Sequence, residues 1–341
     1  MSGKRITQLD GLRALAFAAV FIHHAFWVNL LWAGVDVFFV LSGFLITGIL
    51  IELRTLGMKS YFAAFYSRRV RRVLPAYVLF LVAASCLGIT EWTHQWYLYV
   101  LPLMNYATVV RGVQVTWSLA VEEQFYVVWP FVIYYLHRHL GKISFLLVLT
   151  APVLRYLFTY DFVASGGVFS FTPCRMDLLA AGALLCLLYR SRKDLVENYG
   201  HLAGAGFLLG GALVLLTLHH FHVARTDNSR IGNTFIYEAT LLASVGVLLW
   251  ALSGRYVGLL NLAPLRALGK ISYSCYLIHY VLVLMLWDHM HTRLSGTILA
   301  FILTVAYATV SWFVLEKPIL NSLKRKDPPR MELYPQGHSA D

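Results

Sequence analysis

Residues 9–26, LDGLRALAFAAVFIHHAF, and residues 34–53, GVDVFFVLSGFLITGILIEL, decide the fold class. Each approaches the ~20 apolar residues that a helix needs to cross a hydrocarbon core. Outward from this pair, apolar segments recur at approximately 12–31, 35–53, 73–90, 95–110, 116–137, 143–158, 171–189, 201–219, 235–252, 270–287 and 297–315. Of the 341 residues, 59% are hydrophobic and 13% charged, whereas a soluble domain averages about 45–50% and about 25%. Lipid is therefore the expected solvent, and no soluble domain of useful size remains. The expected architecture is an all-α polytopic transmembrane helix bundle. It comprises one membrane domain, residues 1–320, and a polar, Pro-containing tail, 321–341, expected to be disordered.

Eleven segments cannot all cross if both termini lie on one side. The weakest is QWYLYVLPLMNYATVV, residues 95–110, which is short, broken by Pro102 and rich in Tyr and Trp, as interfacial or re-entrant segments are. Setting it aside leaves about ten spans with both termini cytoplasmic. That threading puts 21 of the 28 Lys and Arg on the cytoplasmic side, as the positive-inside rule requires. Arg111, Arg155, Arg175, Arg225, Arg230 and Arg293 fall outside, and Arg13 lies within the first span. The basic excess thus reads as topology, not as a nucleic-acid surface. The N-terminus lacks a small-residue cleavage site, so the first apolar run is expected to stay as a signal anchor. No internal repeat is visible. Cys86, Cys174, Cys186 and Cys275 lack metal or disulfide spacing and read as packing thiols.

Ionisable residues inside spans are costly and mark functional positions. Arg13 and His24 are eleven residues apart, three turns plus about 20°, so they share a helix face some 16 Å apart along the axis. Taken alone, Arg13 reads equally as an end charge snorkelling to headgroups, and His24 as a satisfied interior imidazole. Asp10 either orients Arg13 or caps the helix. Asp36, at the start of the second span, either orients a protonated His24 across a short turn or caps its own helix. Ser42 and Gly43 read as a small-residue packing face.

A loop ending in YSRRVRRVLPAY follows, with Pro75 opening the third span. Arg69 and Arg72 in it are one turn apart and can hold a phosphate in their guanidinium forks, or serve topology alone. The segment TWSLAVEEQFYVVWP carries Trp117 and Glu122, the latter deep enough to meet His24 and to act in proton transfer. The alternative is an interfacial carboxylate facing outer water. Arg175 and Asp177 either line the outer mouth or pair with each other, and His279 stands mid-membrane as a second imidazole.

These motifs in this order, LDGLRALAFAAVFIHH with its Arg-x10-His spacing, GVDVFFVLSGFLITGIL, FYSRRVRRVLPAY, TWSLAVEEQFY and GKISYSCYLIH, resemble the acyltransferase-3 family of bacterial integral membrane acyltransferases. The likeness runs from about Ile6 to Pro318. It implies a ten-span bundle of the bacterial inner membrane that moves an acyl group, most often acetyl, from cytoplasmic acyl-CoA to a hydroxyl of a carbohydrate or glycolipid near the outer face. The family's Arg-x10-His pair falls on Arg13 and His24, its Arg-x-x-Arg on Arg69 and Arg72, and its acid on Glu122. Acetyl-CoA is then a substrate, no permanently bound cofactor or metal is expected, and the form is one without the C-terminal hydrolase-like domain of larger members. Arg13, Arg69 and Arg72 are assigned to the CoA phosphates, and His24, with Glu122 and Asp36, to proton or acyl transfer. The rivals are a secondary transporter or flippase using the same charges as a relay, and a non-enzymatic sensor, which leaves Arg69 and Arg72 unexplained.

Overall fold

A computed structural model describes residues 6–90, 92–107, 112–161, 167–224, 227–290 and 292–324. Lys4, Arg5, Arg111, Arg225 and the tail beyond residue 324 lie outside them. Among the described residues all regular structure is helical. The helices are α1 (Gln8–Phe26), α2 (Gly34–Leu53), α3 (Met58–Cys86), α4 (Trp92–Val100), α5 (Trp117–Leu136) and α6 (Leu140–Leu157). They continue with α7 (Met176–Ser191), α8 (Lys193–His220), α9 (Arg230–Ser253), α10 (Ala263–His289), α11 (Arg293–Ser311) and α12 (Lys317–Lys324). Helices alone satisfy every backbone amide within one segment, which lipid demands.

The protein is an all-α polytopic membrane bundle, but among the described residues seven helical stretches, not ten, are long and apolar enough to cross a bilayer. The shortfall has identifiable causes. The stretch Gln114–Leu157 takes in both α5 and α6. Four arginines in its first half dilute α3, and α7 has only 16 residues. The nine residues of α4 rise roughly 14 Å, too little to span. The arginines expected in a loop before Pro75 lie instead on α3, which starts at Met58 and runs unbroken through Pro75. Within a bundle, neighbouring groups and local adjustment offset the hydrogen bond that proline removes.

Small residues set which helices touch. A Cβ on Gly43 of α2 would come within 1.9 Å of the Leu179 carbonyl oxygen on α7, and one on Gly182 of α7 within 2.1 Å of the Val40 oxygen on α2. At both positions only glycine lets the backbones approach this closely, the packing device of membrane helices. Gly269 does the same for α10 against Asp10 of α1. The result is a core of α1, α2, α7, α9 and α10, with α6, α8 and α11 outside it. The outer helices present Leu146, Leu209, Leu216 and Ile302 to the surroundings. A soluble protein would not expose such a belt. In lipid it is the expected face.

Candidate active site

Two sites grow from α1. At its carboxy-terminal end His24 meets α10: its Nδ1 lies 2.9 Å from Nε2 of His279, and the Nδ1 of His279 lies 2.7 Å from the Tyr276 carbonyl oxygen. His279 is wholly buried, with Phe17 packed edge-on against its imidazole. Residues 276 and 279 are one helical turn apart, so α10 supplies both the second imidazole and the carbonyl that orients it. The Tyr280 ring lies 4.5 Å from that of His24, and its hydroxyl accepts from Gln114.

The proton positions follow from what each partner can do. A carbonyl only accepts, so in the neutral pair His279 carries its proton on Nδ1. Its Nε2 must then accept, and Nδ1 of His24 donates to it. Nε2 of His24 is left with its lone pair, held in a fixed direction, which is the state of a general base oriented by a third group.

The second site lies towards the amino-terminal half of α1, where α2, α3 and α5 converge. Arg69 donates through Nε and Nη2 to Oε1 of Glu123, at 3.2 and 3.0 Å, and its Nη2 lies 3.7 Å from Oε2 of Glu122. Its guanidinium covers the Tyr126 ring at 3.9 Å. Ser42 donates to the other oxygen of Glu122 at 2.5 Å. One turn along α3, Arg72 faces Arg13, whose charge, followed by burial and by Arg69, holds its pKa down to about 10. Arg72 stays cationic at neutral pH, but among like charges.

The expected roles are redistributed by this geometry. Glu122 bonds Ser42 and Arg69, and Asp36 pairs with Arg175; neither hydrogen-bonds His24. Asp36 faces α7 and α9, whereas His24 faces α10, so the short turn between α1 and α2 does not bring them together. Trp117 packs on Phe39 and Phe169 near Arg175, away from Glu122. Arg175 and Asp177 do not pair with each other: Arg155 bonds Asp177 at 2.7 Å and also Glu238. Asp10 is buried in the first turn of α1, where a negative charge suits the helix dipole.

The known acyltransferase-domain family matches residues 6–317, nearly the whole described chain. The chain is a member of the acyltransferase-3 family. Relatives of this acyltransferase-3 chain include the O-acetyltransferase OatA of Staphylococcus aureus (strain NCTC 8325), 28% identical over 93% of the chain and 58% of the relative. The putative peptidoglycan O-acetyltransferase YrhL of Bacillus subtilis (strain 168) is 28% identical over 92% of the chain and 55% of the relative. The peptidoglycan O-acetyltransferase OatA of Listeria monocytogenes is also 28% identical, over 93% and 56%. The chain thus spans little more than half the length of these relatives. No solved structure matches it.

One residue of the second site escaped sequence reading in this acyltransferase-3 chain. Glu316, nearly buried, accepts from Ser274 and Ser311 at 2.7 and 2.9 Å, and its charge acts on Arg72. It sits on a π-helical turn, Trp312–Glu316, a geometry frequent at functional positions. The readable signal was an acid at the end of the last apolar run, two residues before Pro318.

Proposed function

We propose that the protein is an O-acyltransferase of the bacterial cytoplasmic membrane that moves an acetyl group from acetyl-CoA to a carbohydrate hydroxyl. Family membership supports the reaction class. The relatives' names, O-acetyltransferase and peptidoglycan O-acetyltransferase, support acetyl and a glycan. The observation that carries the mechanism is the chain His24–His279–Tyr276, which leaves Nε2 of His24 as an oriented base.

In this reading the chain threads the bilayer ten times, α5, α6, the apolar half of α3 and the short α7 each crossing, with both termini cytoplasmic. Arg13, Arg69 and Arg72 face the cytoplasm and hold the CoA phosphates. An incoming polyanion relieves the repulsion between Arg13 and Arg72 and competes with Glu122 and Glu123 for Arg69. Glu122 therefore tunes the donor site rather than His24, and Ser42 holds Glu122. Asp36, Arg175, Asp177 and Trp117 support the fold.

At the other end, His24 Nε2 takes the proton of the acceptor hydroxyl as its oxygen attacks the thioester carbonyl. The carbon–sulfur bond breaks and the proton passes from His24 to the departing thiolate, giving CoA. His279 is a positioning residue.

Acyl transfer from radiolabelled acetyl-CoA to cell-envelope glycan, by purified protein in liposomes, tests the proposal. His24→Ala should lower the rate by about 10²–10⁴-fold, and His279→Gln, which keeps an acceptor for the His24 proton, by less. Full activity in His24→Ala, or glycan transport independent of CoA, refutes it.

A further inference from the structure

Just past His24 the molecule builds a pocket that the transfer chemistry does not use. Trp27, three residues along from His24, and Trp287, eight residues along α10 from His279, bring their indoles to 6.4 Å between centroids, inclined at 50°. Arg293, the first residue of α11, lies over the Trp287 ring at 4.1 Å. Among the described residues they line an open cleft of about 230 Å³.

The pocket is held by more than proximity. Nε of Arg293 donates to the Ala25 carbonyl at 2.9 Å, tying α11 to the end of α1. Trp27 adopts a left-handed backbone with φ of 57°, costly for a bulky residue, while its N–H bonds the His23 carbonyl at 2.7 Å. Such a backbone turns the indole, 54% exposed, back towards Trp287. Tryptophans that merely anchor a helix at the membrane surface need only headgroup depth. Here two indoles from different helices meet each other, with a guanidinium over one of them and a strained backbone under the other, an arrangement suited to a ligand.

Indole faces offer a large, rigid apolar surface to the C–H face of a pyranose. A guanidinium fork matches a carboxylate. At about 230 Å³ the pocket is smaller than the ~300 Å³ at which sites for whole small ligands begin. That suits one ring of a longer chain.

We propose that Trp27, Trp287 and Arg293 form an acceptor subsite that seats one pyranose ring of an acidic glycan against the indoles, with a carboxylate of that ring or its neighbour at Arg293. The assignment of this glycan as acceptor rests on the acyl-transfer reading; its binding does not. The subsite lies about one helical turn beyond His24, so a seated chain presents the hydroxyl of an adjoining ring to the base.

Hyaluronan hexasaccharide, which carries both acetamido and carboxylate groups, and neutral chitohexaose are titrated into the purified full chain in detergent, read by indole fluorescence. Hyaluronan should quench saturably, with chitohexaose about tenfold weaker. Arg293→Gln should erase that preference, and Trp27→Ala should weaken both ligands about tenfold. Acetyl-CoA-dependent thermal stabilisation, retained in both variants, excludes misfolding. Absence of saturable quenching, an unchanged preference in Arg293→Gln, or displacement of the sugar by phosphatidylglycerol micelles overturns the subsite, the last assigning it to lipid headgroups. Saturable binding without any CoA-dependent transfer would leave the subsite standing and sink the enzymatic reading instead.

Discussion

Two groups of charges sit inside the same bundle and differ in how they are neutralised. In one, Arg155 and Arg175 pair with Asp177, Glu238 and Asp36, and both guanidinium side chains are 0% exposed. The rings of Tyr237, Phe39 and Phe169 enclose Arg175 at 4.9, 5.7 and 5.7 Å. This group joins α2, α6, α7 and α9, with Arg155, Arg175, Asp36 and Asp177 sealed and Glu238, 25% exposed, at its edge. In the other, Arg69 and Glu122 are each 16% exposed, and Arg72 feels Arg13 and Arg69 as like charges and Glu316 as an opposite one. That chamber gathers Arg13, Arg69 and Arg72 among Glu122, Glu123 and Glu316 and leaves part of Arg69 and Glu122 accessible. The contrast teaches that an intramembrane charge is read by its surroundings rather than by its presence: sealed, it fastens helices; open, it stays accessible.

Breaking the sealed group should give the largest change in stability. Arg175→Ala leaves Asp36 buried without its partner and should cost about 3–5 kcal/mol, seen as a steep fall in melting temperature in detergent. The double change Arg175→Met with Asp36→Leu should recover most of that loss, since removing both charges also removes their desolvation. If Arg175→Ala melts like the native protein, the sealed group is not a fastener.

The open group should respond in the opposite sense. Arg72→Met should melt no lower than the native protein without ligand, because it relieves repulsion from Arg13, yet acetyl-CoA should stabilise it less. A tenfold weaker affinity, about 1.4 kcal/mol, is the expected size, read from the thermal shift against acetyl-CoA concentration. Arg72→Met that melts lower but keeps its acetyl-CoA response would place Arg72 in the first group.

Ser42→Ala makes the most local test. It removes one hydrogen bond to a carboxylate in the open group and should cost about 1.5–3 kcal/mol if Glu122 stays charged and finds no water, less if water replaces it. The acetyl-CoA shift should grow, since a looser Glu122 competes less well for Arg69. A weaker shift would instead give Ser42 a direct part in donor binding.

Much of this was legible in the chain. Composition alone demanded lipid, and the segment at residues 95–110 was rightly set apart, for the helix there has only nine residues. The shared face of Arg13 and His24 follows from helical periodicity. Pro75 misled, because its boundary signal assumes water as the alternative partner for freed backbone groups; α3 continues through it. The partner of His24 could not be read, because His279 is 255 residues away and nothing local selects it over Asp36 or Glu122.

The sequence by itself determined the solvent, the helices and the positions of costly charges, because burial in lipid and helical period are local properties. Only the tertiary structure decided which charges cancel. Asp36 turned to Arg175, Glu122 to Arg69, and His24 to His279, since close approaches at Gly43, Gly182 and Gly269 fix which helix faces meet. Electrostatic pairing acts over a few ångströms in space, and the order of residues along the chain does not encode that distance.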